Sequence, residues 1–576
     1  MKTSSWTLPL SVTLAAPWAI PGASGGALGL DVMLAREGGK PAIPAAHVKG
    51  VLRDACTTLA TQLPELRLEG YTLNELTGLL FGRPDGNDGS RPDGLARGRL
   101  HFSTLVAHNP PAGDPSMRAV RVAIDPDLGA AREGHLMFLE CPWPYGTQVS
   151  FSGRLTILAA EQRLARAARE FLERALRLTV SLGGMKSSGF GKIAAAGTGD
   201  LEAVKPAAIQ LPASRRVRLT YTFDRPFLVN ARRMGGNLAI GDTVVPGAVI
   251  KGALARMLAA DPDAGDWEEA LASCIIGHAF PQHDGENTPE YPLPLSLYLE
   301  KREDGSSKLF CALQRPPGDS GQVFFQPDWK GADRTRALRA LGLARARPGY
   351  SGRTRTAIDS ASSTALHDED EGGALFSQIA INPEGYNWVG EMILPEAPEL
   401  QKLFLTHLQT GCFGVGKTKA TLRVENVEDV AEADEVRGSA VTLALKSDAV
   451  LLRPADLETG GLRTAYAQYF SDLGLELEDF YATQSLKGDY LALRYPEQPG
   501  MYTPWIVTEA GSVFQLAINT DAGRENLKSI LQKGLPPKHD AGSDWRVFPF
   551  GRENGFGHVA SDAAGPANLK QGVELS

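Results

Sequence analysis

Apolar and polar residues alternate along residues 5–17 (SWTLPLSVTLAAP), which predicts an opening strand. The period then lengthens. Residues 45–62 (AAHVKGVLRDACTTLATQ) read as a helix, with Pro44 placed where a helix start tolerates it. Alternation returns at 98–108 (GRLHFSTLVAH) and at 147–158 (TQVSFSGRLTIL). Between them, 109–116 (NPPAGDPS) is a proline- and glycine-rich turn or projecting hairpin running to Met117, and RVAID at 121–125 begins an extended segment. Residues 161–181 place Leu164, Ala167, Phe171, Ala175 and Val180 on one helical stripe. Strand, helix, strand, strand, helix, strand is the order of a ferredoxin-like α+β unit.

The same elements recur. IPAAHVKGVLRDA (43–55) matches VPGAVIKGALARM (245–257), and RVAIDPDLGAAREGHLMFLE (121–140) matches RTAIDSASSTALHDEDEGGALFSQI (355–379). Glycine-rich loops stand at 182–192 (LGGMKSSGFGK), 411–418 (GCFGVGKT) and 550–559 (FGRENGFGHV). The second copy has the letters of a nucleotide-binding phosphate loop, but that loop follows a strand and opens a helix. Here ELQKLFLTHLQT (399–410) predicts a helix before it and ATLRVENV (420–427) a strand after it, which argues against an ATPase reading. The chain is read as tandem units with glycine-rich loops: a first unit at 1–199, a linker at 200–216, a second unit at 217–440, and a tail at 441–576 that completes the second unit as a half-domain.

At 576 residues several cores are expected, and no apolar run is long enough to span a bilayer, so no membrane role is expected. The five cysteines (Cys56, Cys141, Cys274, Cys311, Cys412) form no C-x-x-C pair, which argues against a zinc site or disulfide framework and fits the cytoplasm. A net charge of −8 speaks against nucleic acid only until its distribution is considered. Lys49, Arg53, Lys186 and Lys192 recur at the motifs of the first unit, and Lys251, Arg256, Arg353, Arg355, Lys417 and Lys419 at those of the second. The acids gather elsewhere, at 367–373 and 425–436. Cations at repeated motif positions predict a shared anionic ligand.

Three features carry a family resemblance: the proline-started helix with its K-G-x-L-(A)R run, the R-x-A-I-D segment, and the closing glycine loop. Together the chain resembles the RAMP superfamily of CRISPR-associated proteins. The first unit is similar to the backbone subunit of type III effectors, the Cas seven group. The second unit with the tail is similar to a cap subunit of the Cas five group, and a tandem of two backbone subunits is the alternative. The resemblance implies an RNA-guided effector complex with CRISPR RNA, target single-stranded RNA, and backbone, small and large subunits as partners. Glycine loops that let backbone N–H groups approach phosphates, and lysines beside them, agree with this.

The resemblance also names a catalytic candidate. Asp31 lies in the irregular stretch before Pro44, where backbone subunits carry the aspartate that cuts target RNA. It is expected to act with a divalent metal, Mg2+ or Mn2+, which it would ligate. Asn237 stands in the matching stretch of the second unit, which is expected to bind RNA without cutting it. Lys49, Arg53, Arg121, Lys186, Ser187, Lys192, Lys251, Arg256, Arg353, Arg355, Lys417 and Lys419 are the expected RNA contacts. Asp125 and Asp359 read as turn or cap residues, and His47 and His101 as structural. A non-catalytic scaffold holding the 5′ handle of the guide, and a precursor-RNA processing enzyme, are the rival readings.

Overall fold

The structure is a computed structural model. It describes residues 5–24, 29–82, 98–205, 209–230, 232–234, 237–301, 306–318, 322–341, 343, 345–356, 375–431, 438–458, 460–488, 504–538, 545–546, 548–561 and 569–575. The opening alternation becomes strand Ser5–Ala15, which turns Leu8, Leu10, Val12 and Leu14 into the core. It pairs antiparallel with Gln148–Leu158 on one side and Ile193–Thr198 on the other. Leu100–Phe102 and Leu105–Ala107 extend the sheet past Gln148–Leu158. Helices Ala45–Gln62 and Gln162–Leu178 pack into the same core through Val48, Leu52, Phe171 and Leu172. From one edge the strands run fourth, first, third, second, the ferredoxin-like order. The helical stripe stops earlier than its spacing predicts: the helix ends at Leu178, and Val180 is 74% exposed.

The second sheet repeats this plan. Arg216–Phe223 is central, between Tyr386–Ile393 and Ala420–Asp429, with Ile275–Ile276 and Phe280–His283 outside Tyr386–Ile393. Helices Gly247–Ala259 and Pro398–Thr410 complete it. The loop at 411–418 leads into strand Ala420–Asp429, so the phosphate-loop lettering lacks the helix that such a loop opens.

The tail does not lend strands to the second sheet, as its length suggests. It forms a four-stranded sheet of its own, ordered Glu476–Tyr481, Val513–Ala517, Ala440–Leu445, Val559–Ser561. With helices Gly461–Asp472 and Asp521–Lys533 it is a third complete unit of the same order, with a core around Tyr466, Phe470, Phe514 and Leu527. The segment 277–301 contributes an edge strand to the second sheet and a strand to an inserted sheet. That inserted sheet joins Gln322–Phe325, Leu297–Lys301, Ser307–Cys311 and Val573–Glu574.

Candidate nucleic-acid interface

Strands Arg118–Ile124 and Ala131–Glu140 form the projecting element of the first unit, an antiparallel hairpin exposed over most of its length. Residues 109–117 are not the projection. They are fastened at its base, where Trp143 Nε1 donates to the Pro111 carbonyl at 2.9 Å and Asp114 N to the Pro142 carbonyl at 2.8 Å. Asp125 caps the hairpin turn by accepting from the N–H groups of Asp127 and Leu128. The second unit has the same device in Tyr350–Thr356 paired with Leu375–Ile381. Residues 357–374, with Asp359, His367 and Glu371, lie outside the described residues.

Asp31 sits where this hairpin meets the loop. Its backbone N–H donates to the Phe138 carbonyl at 2.9 Å, and its Oδ2 accepts from Phe138 N at 2.7 Å. Next along the chain, Val32 pairs in parallel with Leu139. Glu140 fastens the same strand: its Oε2 accepts from Leu34 N at 2.8 Å, and its carboxylate grips the Arg36 guanidinium. These bonds hold an exposed carboxylate in a fixed place. The second unit repeats the joint with Leu238–Ile240 parallel to Leu375–Ile381. There Asn237 precedes Leu238 as Asp31 precedes Val32, and its carbonyl accepts from Ser377 N at 3.1 Å. Among the described residues no three His, Cys, Asp or Glu side chains come together in a metal-holding group, and Oδ2 of Asp31 is already engaged.

The second hairpin reaches back to the first unit. Its strand Tyr350–Thr356 packs along Pro21–Ser24, in the loop sheet that contains Asp31's neighbours. This gathers cations from both units. Arg353 and Arg355 are half-buried with pKa values pushed down, Arg353 by burial and then by Arg355, with Glu37 and Arg225 also near. Burial and Arg53 lower Lys49 in the same way. Lys49 also faces His101, as do Arg256, Arg225 and Lys419; burial first, then these cations, hold it neutral. Its ring stacks on Phe413 at 5.6 Å. Arg225, which the sequence reading passed over, ties the units by donating to the Phe102 carbonyl at 2.6 Å while paired with Asp224. Only its place between a strand end and a proline marked it. Like charges crowded at low hydration are repulsive alone and favourable beside a polyanion.

The remaining expected contacts divide. Lys186, Ser187, Lys192, Arg53, Lys417 and Lys419 are exposed on loops or helix faces. Arg121 is exposed on the hairpin with its guanidinium 4.8 Å from the Phe190 ring centre. His47 is structural, accepting from Gly183 N at 2.9 Å, with a pKa lowered to about 4 by burial and by Lys186. Lys251 is not an RNA contact. It is fully buried, and its Nζ donates to the carbonyls of Ala272, Cys274 and Glu553 at 3.0, 2.9 and 3.2 Å. The third unit covers it, which its motif position could not reveal. Burial lowers its pKa to about 8, against the opposing pull of Cys274 and Glu553. Lys251→Met is expected to cost about 3 kcal/mol by stranding these carbonyls, read by thermal unfolding, with RNA affinity unchanged. Lys49→Met, at the matching helix position, is expected to do the reverse.

No curated protein matches the chain. A chain of the Type III-B Cmr-beta complex bound to cognate target RNA and AMPPnP is similar over 59% of this chain and 93% of its own, at 13% identity and a TM-score of 0.31. Another, from Type III-B Cmr-beta bound to cognate target RNA, is similar over 34% of this chain and 61% of its own, at 14% identity and a TM-score of 0.23. No helix among the described residues is long and apolar enough to cross a membrane. The family model for the RAMP superfamily matches residues 12–194, the stretch of the first unit that holds Asp31 and the first glycine loop.

Proposed function

We propose that the chain is a guide-RNA-binding subunit of a type III CRISPR effector complex, and that Asp31 cuts the target RNA paired to that guide. The observation that carries the reading is the cation track between the units. Lys49 lies beside Arg53 on the first helix, and Arg353 beside Arg355 on the strand that packs along Pro21–Ser24 in the loop sheet next to Asp31. A single strand laid along them brings its backbone to an exposed, fixed carboxylate. Asp31 then takes the proton of a ribose 2′-OH; the freed oxygen attacks the adjacent phosphorus and the 5′-oxygen leaves, giving a 2′,3′-cyclic phosphate. The second unit, with Asn237 at the same joint, holds RNA without cutting it.

The test assembles the complex with its guide and an end-labelled matched target. Asp31→Asn is expected to slow the cut by about a hundredfold or more at unchanged guide affinity, the range a general base supplies. Asn237→Asp is expected to add a second cut, displaced along the target. An unchanged cut pattern in Asp31→Asn, with guide binding intact, would leave the chain a scaffold and place the chemistry in a partner.

A further inference from the structure

Away from the cation track, the joint between the second and third units encloses a polar cavity of about 40 Å³. That is room for about three waters, or for one small tetrahedral ion. The second unit lines it with Arg216 from strand Arg216–Phe223, Glu391 from strand Tyr386–Ile393, and His278 and Tyr291 from the segment 277–301. The third unit lines it with Lys446, His558 and the C-terminal end of helix Asp521–Lys533.

The polar groups of this lining are mostly donors in need of an acceptor. Among the described residues, Lys446 Nζ sits over the Tyr291 ring, 4.7 Å from its centre, with no carboxylate in ion-pair range. The buried Nε2 of His558 has no hydrogen-bond partner. His278 Nδ1 accepts from Gly247 N at 3.2 Å, so the proton of its neutral ring is on Nε2, where it can donate. The carboxylate of the lining is already taken: Glu391 Oε2 accepts from Arg216 Nε and Nη2 at 3.0 and 2.7 Å. Charge points the same way. Two full cations stand against one carboxylate and a helix end worth about half a charge, so the lining stays positive. Arg218, on the same strand as Arg216, adds to the positive field at Lys446. Lys446 and Arg216 have no lone pair to offer a metal ion, so the lining selects an anion.

We propose that this cavity binds one inorganic oxyanion of the phosphate or sulfate class, which ties the second unit to the third. Lys446 and Arg216 supply the charge, and the rings of His278 and His558 supply N–H donors. The anion gives a partly buried lysine the counter-charge that the chain itself withholds. The space suits an isolated ion and is too small for a strand of RNA or peptide. The site stands whether or not Asp31 cuts RNA.

Equilibrium dialysis of the full chain, free of RNA, against radiolabelled inorganic phosphate at constant ionic strength tests it. One saturable site per chain is expected, competed by sulfate, above weak surface binding that does not saturate. Phosphate should also raise the melting temperature of the wild type. Lys446→Met is expected to weaken the site by about tenfold or more and to abolish that rise, whereas Lys446→Arg keeps both. Glu391→Gln is expected to bind phosphate several-fold more tightly, because it removes the negative charge beside the ion. A lysine that only packs against Tyr291 would give no such gain. If Lys446→Met does not fold, Glu391→Gln decides, and unchanged or weaker binding there overturns the proposal. A wild type without a saturable site, or a folded Lys446→Met that keeps it, leaves the cavity to water and overturns the proposal as well. Saturating guide RNA is expected to leave the phosphate in place; its displacement would assign the cavity to an RNA phosphate and overturn the proposal equally.

Discussion

Changing Lys49, Arg353, Arg355 and Lys417 to alanine together is expected to weaken guide-RNA binding by about two orders of magnitude at physiological salt. Each phosphate contact on a single strand contributes about 0.7 to the slope of log affinity against log salt, so four lost contacts flatten that slope by about 3. The affinity loss follows from the same quantity, about fourfold for each contact at the ionic strength of a cell. Fold stability should not fall with it. Lys49, Arg353 and Arg355 already have lowered pKa values from burial and from one another, so removing them relieves repulsion. Fluorescence anisotropy with labelled guide over a salt series, beside a thermal melt, separates the two effects. A slope unchanged within error would mean that the RNA runs elsewhere.

The periodic elements were legible because their physics is local. Alternation in Ser5–Ala15 and the Leu164–Ala175 stripe each report one buried face, and the structure buries those faces. The projecting hairpin was not legible, because both of its faces meet solvent. Val120, Val122 and Ile124 are 55%, 44% and 57% exposed, so no core imposes a one-sided pattern there. Lys49 and Lys251 make the same point for the site. They hold one position in one motif, yet the first stays half-exposed and the second disappears beneath the third unit. Their fates depend on what lies beyond the helix, which the motif does not encode. The third unit itself was hidden for a related reason: its second helix, Asp521–Lys533, stands well before its glycine loop, so the repeat is stretched. The Asp31 and Asn237 correspondence survived because it rests on a joint rather than on spacing. Each residue directly precedes a strand that pairs in parallel with the returning arm of a hairpin.

Acidification from pH 6.5 to 4.5 is expected to destabilise the junction of the second and third units before the carboxylates titrate. His278 and His558 are both buried there, with pKa values lowered from 6.5 to about 3 and about 4. Burial is the main cause for each. His558 also feels Lys446 and Arg216, with Glu391 pulling the other way; His278 feels His558 and Lys487, opposed by Asp448. Both folded-state values lie below the unfolded one, so in this window the unfolded chain binds protons that the fold refuses. Stability is therefore full above about pH 6.5 and falls as pH drops toward the folded values. Each histidine contributes about 1.4 kcal/mol per pH unit, so the pair gives close to 3 kcal/mol per unit. His47, lowered to about 4, adds the same sign of effect in the first unit. Glu391 and Asp261, whose pKa values are lowered, stay charged in the fold and add to the slope only near the lower end of the window, where the unfolded carboxylates begin to take up protons. Calorimetry at stepped pH should show one transition moving down steeply in the wild type. His278→Gln/His558→Gln should flatten that slope while leaving the dependence due to His47 and to the buried His101. If the double variant keeps the wild-type slope, the acid sensitivity does not arise at this joint, and the two histidines are not held neutral by its burial.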